Sequence, residues 1–223
     1  MARQPRLAAA GHVHHVLQRG HNAQPVFVDD DDRASFLALL RHAAAAEQVA
    51  VHGYVLLDNE VQLLVTPPQA TSLSRLMQAV ARRYGACFNR RHRRAGTLWS
   101  GRFRASIVEP ASWVLRCLCC IEGATEGVAT LPWSSAPHHL GSRRDAMLSE
   151  HADYWSLGNT PFERELAWRR CLERGLTVSD RAAIMRAIVS SAVLGGPTFR
   201  LQIGAETGRN LAVRPVGRPP KPD

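Results

Sequence analysis

The stretch "VHGYVLLDNEVQLLV", residues 51–65, decides the fold. Two β-branched runs meet at Asp58-Asn59, a pair suited to a tight turn, so the segment reads as a β-hairpin closed by Pro67-Pro68. Within its second run Glu60 and Gln62 stand at alternate positions among apolar residues. On a strand both then project from the same face.

Working outward, "GHVHHVLQRG" alternates as a first strand, and "DDDDRASFLALLRHAAAAEQV" follows as a helix whose aspartates suit its N-terminus. After the hairpin, "SLSRLMQAVARRYGACFNRRHRR" places Leu73, Leu76, Met77, Val80 and Tyr84 at helical spacing, with Ser72 or Ser74 available as a cap. "GTLWSGRFRASIVE" reads as a strand and "PASWVLRCLCCIEGATEGVA" as a helix that opens on Pro110 and weakens near Gly123. The order β-α-β-β-α-β-α predicts an α+β fold, a ferredoxin-like split βαβ unit with an antiparallel sheet and helices on one face.

Beyond "PWSS" at residues 132–135 the character changes. Two further helical stretches, "PFERELAWRRCLERG" and "SDRAAIMRAIVSSAVLGG", precede a closing "RNLAVRPVGRPPKPD" rich in proline and basic residues. Three parts are expected: a domain over residues 1–140, a helical extension over 141–205 and a disordered basic tail over 206–223. There is no internal repeat.

With 223 residues, 45% of them hydrophobic, the chain can bury a substantial core. Its formal net charge of +9, an excess carried by arginine rather than lysine, points to a polyanionic partner. The absence of a membrane-length apolar run and of a signal-peptide core leads to the expectation of a cytoplasmic protein with no membrane partner. Five cysteines, three of them crowded at Cys117, Cys119 and Cys120, suit packed reduced thiols better than a disulfide framework or a tetrahedral zinc site.

Taken together, "HHVLQRGHNAQPVF", "VHGYVLLDNEVQLLVTPP", "LSRLMQAVARRYGACFNRRHRRAGTLWSGRFRASIVE" and "PWSS" closely resemble the REP-associated tyrosine transposases, which belong to the single-tyrosine branch of the HUH nucleases. The resemblance covers roughly residues 1–140 and continues more weakly beyond. It implies a domain that binds hairpin-forming single-stranded DNA, cuts it with a tyrosine, and uses a divalent metal held by two histidines in a His-hydrophobe-His strand motif.

This chain departs from that pattern at both chemical positions. Glu60 and Gln62 stand where the resemblance implies the two histidines. Imidazoles there would hold a metal that polarises the scissile phosphate. A carboxylate and an amide oxygen can still serve a hard cation such as Mg²⁺ or Mn²⁺, though no third ligand is evident, and the alternative is a pair of polar residues on a former active-site face. The tyrosine phrase, Tyr-Ile-x-x-Asn-Pro, matches "CCIEGATEG", which puts Cys120 at the nucleophile's position and removes the Asn-Pro. A thiolate is a soft nucleophile poorly suited to phosphodiesters, and Tyr54, Tyr84 and Tyr154 lie elsewhere. The literal His-hydrophobe-His at His12 to His14 belongs to the first strand, which this fold sets beside the strand of Glu60.

The segment 82–104 gathers Arg82, Arg83, Arg90, Arg91, Arg93, Arg94, Arg102 and Arg104 with Tyr84, Phe88, Trp99 and Phe103 interleaved. Arginines neutralise phosphates and aromatic faces stack unpaired bases; the aromatics here are expected mostly in the core. The tail "RPVGRPPKP" resembles an AT-hook carried by Arg214, Arg218 and Lys221, or serves as a solubilising end. The expectation is a DNA-binding member of the family that has lost catalysis and needs no cofactor. Alternatives are an active transposase with atypical ligands and a regulator that binds structured RNA.

Overall fold

The computed structural model describes residues 7–123 and 133–211. It contains β1 (Val13–Arg19), α1 (Asp30–Ala46), β2 (Ala50–Leu57), β3 (Glu60–Thr66), α2 (Ser72–Arg91), β4 (Arg104–Val108) and α3 (Val114–Glu122). These are followed by α4 (Ala136–His139), α5 (Ala152–Trp155), α6 (Pro161–Arg174), α7 (Val178–Ser190), β5 (Val193–Leu194) and α8 (Pro197–Thr207). Strand order in the sheet is β2-β3-β1-β4-β5.

Local chemistry fixes the helix starts. The Asp29 side chain accepts the Asp32 N–H at 3.1 Å and caps α1, whose first turn carries Asp30, Asp31 and Asp32 against the positive helix end. In α6, Thr160 and Glu163 form a capping box with Pro161 at the first position. The sheet is antiparallel through β2, β3, β1 and β4, with Arg19 opposite Glu60 and Leu17 opposite Gln62. This is the split βαβ arrangement expected from the sequence.

Three features differ from that expectation. β5 pairs parallel to β4, which makes the sheet mixed rather than antiparallel. "SDRAAIMRAIVSSAVLGG" breaks at Ser191, left-handed at φ 53°, and its end becomes β5 instead of continuing as helix. Helices also cover both faces. Val16, Tyr54, Leu63 and Val65 pack with Phe36, Leu40, Leu76 and Tyr84 from α1 and α2. On the other face Val13, Val55 and Leu64 pack with Leu118, Trp168 and Ile184 from α3, α6 and α7. The physical reason is that β2 and β3 are apolar on both sides, so one helical layer would leave Val55 and Leu64 wet, at about 1.5–3 kcal/mol per large aliphatic side chain. Gly53, at an irregularity in the β2-β3 pairing, permits the closest approach of α3: a Cβ there would lie 2.3 Å from Leu118 Cδ1. α8 was not read from the sequence; it runs to Thr207 and so takes in the first two residues of the tail expected over 206–223, of which residues 212–223 lie outside the described residues.

Candidate nucleic-acid interface and candidate metal face

Because side chains alternate along β1 and β3, His15, Leu17 and Arg19 share a face with Glu60, Gln62 and Leu64. There the polar groups bond to one another in a line. Arg19 Nε donates to Glu60 Oε2 at 2.8 Å, Gln62 Nε2 donates to Glu60 Oε1 at 2.7 Å, and His15 Nε2 donates to Gln62 Oε1 at 3.0 Å. His15 is fully buried, and desolvation lowers its pKa to about 4, so the ring is neutral at physiological pH.

A divalent metal does not fit this arrangement. The Glu60 carboxylate already accepts from a guanidinium and from the Gln62 amide, and the Gln62 oxygen accepts the His15 N–H; the unpartnered His15 Nδ1 is a single further nitrogen, short of the ligand set a divalent cation needs. Among the described residues no three histidine, cysteine or acidic side chains are grouped as metal ligands. The His12-His14 pair does not relocate the site. His12 Nε2 bonds Glu206 at 2.7 Å, while His14, on the opposite face of β1 from Glu60, donates from Nδ1 to the His12 carbonyl at 2.8 Å. The strand neighbour expected from the topology is present, but the histidine that reaches β3 is His15. Its diagonal contact was missed because only the register reveals it.

No side chain at the expected nucleophile positions is poised to attack. Cys120 is buried, and desolvation raises its thiol pKa; Arg181 opposes that shift and Glu60 adds to it. Cys119 is pushed up to about 11, again chiefly by burial. All three tyrosines are buried and their phenols donate to acceptors: Tyr54 to Asp145 at 2.8 Å, Tyr84 to the Val26 carbonyl at 2.5 Å, Tyr154 to the His139 carbonyl at 2.8 Å. Burial raises each phenol's pKa above the usual value.

The arginine segment runs along the second half of α2 and the loop into β4. Arg82, Arg83, Arg90, Arg93 and Arg102 are exposed. Arg91 is exposed too, but its guanidinium is ion-paired to Asp29 and Asp32 at 2.6 Å and Asp31 at 3.0 Å. Arg94 bonds Gln24 at 2.9 Å and lies over the Phe88 ring, and Arg104 donates to the Val189 carbonyl. Tyr84, Phe88, Trp99 and Phe103 are in the core, as expected. Arg82 and Arg102 flank a cleft of about 510 Å³ floored by Met77, Trp99 and Phe103. Arg214, Arg218 and Lys221 lie outside the described residues.

Residues 9–115 match the family model described as "Transposase IS200 like". A solved REP-associated tyrosine transposase bound to a REP hairpin superposes with a TM-score of 0.51 at 10% identity, over 68% of this chain and 99% of that one. This likeness shows a shared fold. A putative transposase from Deinococcus radiodurans R1 aligns at 20% identity over 49% of this chain and 88% of that one, with a TM-score of 0.38, too low to carry a structural argument. No curated protein matches the chain. Residues 9–115 thus carry the IS200-like transposase domain, on the fold shared with a REP-associated tyrosine transposase.

Proposed function

We propose that this protein is a DNA-binding member of its family that recognises hairpin-forming single-stranded DNA in the cytoplasm and no longer cuts it. The observation that carries the reading is the hydrogen-bonded line Arg19, Glu60, Gln62, His15, in which a guanidinium and hydrogen bonds take up the positions where catalysis needs metal ligands. The buried Cys120 thiol and the three engaged phenols support the loss of the nucleophile. Binding is supported by the exposed arginines of α2 and its following loop, by the net charge of +9, and by the hairpin bound to a protein of the same fold.

The experiment combines a hairpin single-stranded oligonucleotide with the full chain in Mg²⁺ or Mn²⁺, reading binding and covalent adduct together. Binding that weakens steeply with salt, without nicking, is the expected result. A metal-dependent DNA adduct mapped to Tyr84, Cys120 or any other side chain would overturn the loss of catalysis, and a flat salt response would overturn the phosphate-contact reading.

A further inference from the structure

A second basic cleft lies well apart in sequence from the arginine segment. It occupies about 410 Å³ between α4, α5, α6 and the loop after α4, a volume suited to a small ligand. Trp155 at its margin is 53% exposed, unusual for so large an apolar ring. One face of that ring is covered by the Arg164 guanidinium, 4.0 Å from the centroid, which rigidifies the indole.

Arg164 is itself 5% exposed, yet the ion pairs among the described residues do not include it. Its partners are the Gly158 carbonyl at 3.1 Å and the Trp155 ring, and its buried Nε–H has no acceptor. A guanidinium that dry and that poorly compensated calls for an anion. Arg143 and Arg144 line the same cleft. Arg143 Nη2 also donates to the Ser134 carbonyl at 3.4 Å, and two carboxylates, Glu150 and Glu165, line the cleft as well. Glu150 is partly engaged, with His138 Nε2 3.5 Å away.

We propose that this cleft holds one unpaired nucleotide of a bound DNA strand, its base on Trp155 and its phosphate against Arg143, Arg144 and Arg164. The inference rests on the DNA-binding reading above and adds a second contact to it. A stacked base is tolerant of sequence, because every base offers a π face, so the site reads the presence of an unpaired base rather than its identity.

Three hairpins of equal stem test it by fluorescence anisotropy: one blunt, one with a four-thymidine tail, one with a tail of abasic residues. Wild-type protein is expected to favour the thymidine over the abasic tail by about tenfold, within the range of stacking on one aromatic ring. Trp155→Ala should erase that preference and leave blunt-hairpin affinity unchanged, Trp155→Phe should retain most of it, and Arg143→Ala with Arg144→Ala should weaken both tailed substrates alike. Because Trp155 is at the surface, unchanged thermal melting of W155A separates binding from folding. A 5-iodouracil placed in the tail should photocrosslink to Trp155. Strong hairpin binding with no thymidine-over-abasic preference, or a preference that survives W155A, overturns the inference and leaves the DNA-binding reading standing. Failure of wild-type protein to bind any hairpin overturns both.

Discussion

On the sheet face packed by α1 and α2, the charged groups are pushed outward: the aromatics of residues 84–103 sit in the core while Arg82, Arg83, Arg90, Arg93 and Arg102 remain in solvent. On the opposite face they are drawn inward. There Glu60 and Gln62 bond to Arg19, to each other and to His15, whose buried Nδ1 has no partner, and below them Glu122 accepts three hydrogen bonds at once. The difference separates polar groups that can still greet a ligand from polar groups already spent on the fold. An exposed arginine can release counterions when it meets a phosphate, whereas a buried carboxylate whose lone pairs are taken has no affinity left to offer.

The largest expected effect concerns acid. Burial lowers the pKa of His14, His15 and His52 to about 4. Each is neutral in the native protein, while the unfolded chain takes up a proton near the ordinary value of about 6.5. The folded state is therefore at full strength above pH 6.5 and loses stability as pH falls toward 4. Three protons bound on unfolding would give a slope of about 4 kcal/mol per pH unit at the steepest. Urea titrations from pH 7 to 4 check it; stability that is flat across that window would show that these rings are hydrated rather than enclosed.

Next comes the buried acceptor at the end of α3. Glu122 receives Ser135 Oγ at 2.5 Å, His139 Nδ1 at 2.6 Å and Trp168 Nε1 at 2.7 Å. Glu122→Ala leaves the buried His139 and Trp168 N–H groups unmatched, while Ser135 keeps only the Tyr54 carbonyl at 3.3 Å, and is expected to cost about 3–5 kcal/mol, with Glu122→Gln losing less. Chemical denaturation measures both. If the alanine variant were as stable as wild type, the inward face would not owe its order to polar satisfaction.

The smallest effects separate free arginines from captured ones. Arg82→Ala, Arg83→Ala and Arg90→Ala should each reduce the salt slope of single-stranded DNA binding by about 0.7. Arg91→Ala should leave that slope unchanged, because its guanidinium is held by Asp29, Asp31 and Asp32, and should instead lower stability slightly, as loss of a solvent-screened surface ion pair does. Equal slopes for all four variants would erase the distinction.

How much of this was legible in the sequence depended on the range of the interaction. The hairpin of residues 51–65 and the capped start of α1 are local, and period-two spacing placed Glu60 and Gln62 on one face correctly. The second helical layer was also written there, in Val55-Leu56 and Leu63-Leu64, where apolar residues occupy both faces of the strands; attention to alternation alone hid it. β5 is two residues long, too short to show a period. The capture of Arg91 by aspartates some 60 residues away, and the reach of His15 across to Gln62, depend on packing and register that no window of sequence displays.

The outer ladders of the sheet have a consequence for the behaviour of the chain among its own copies. Beyond β4, Val193 and Leu194 pair with Ile107 and Val108. Beyond β2, the Leu56 N–H donates to the Trp133 carbonyl, Ser135 N–H to Tyr54, and Ser149 N–H to Val51. Unpaired rims of a sheet are templates on which a second chain can add a strand and begin to aggregate. Here both rims are occupied by short irregular segments from later in the sequence, so residues 133–149 and 193–194 act as selvedges that keep a strongly apolar sheet from being extended by a neighbour.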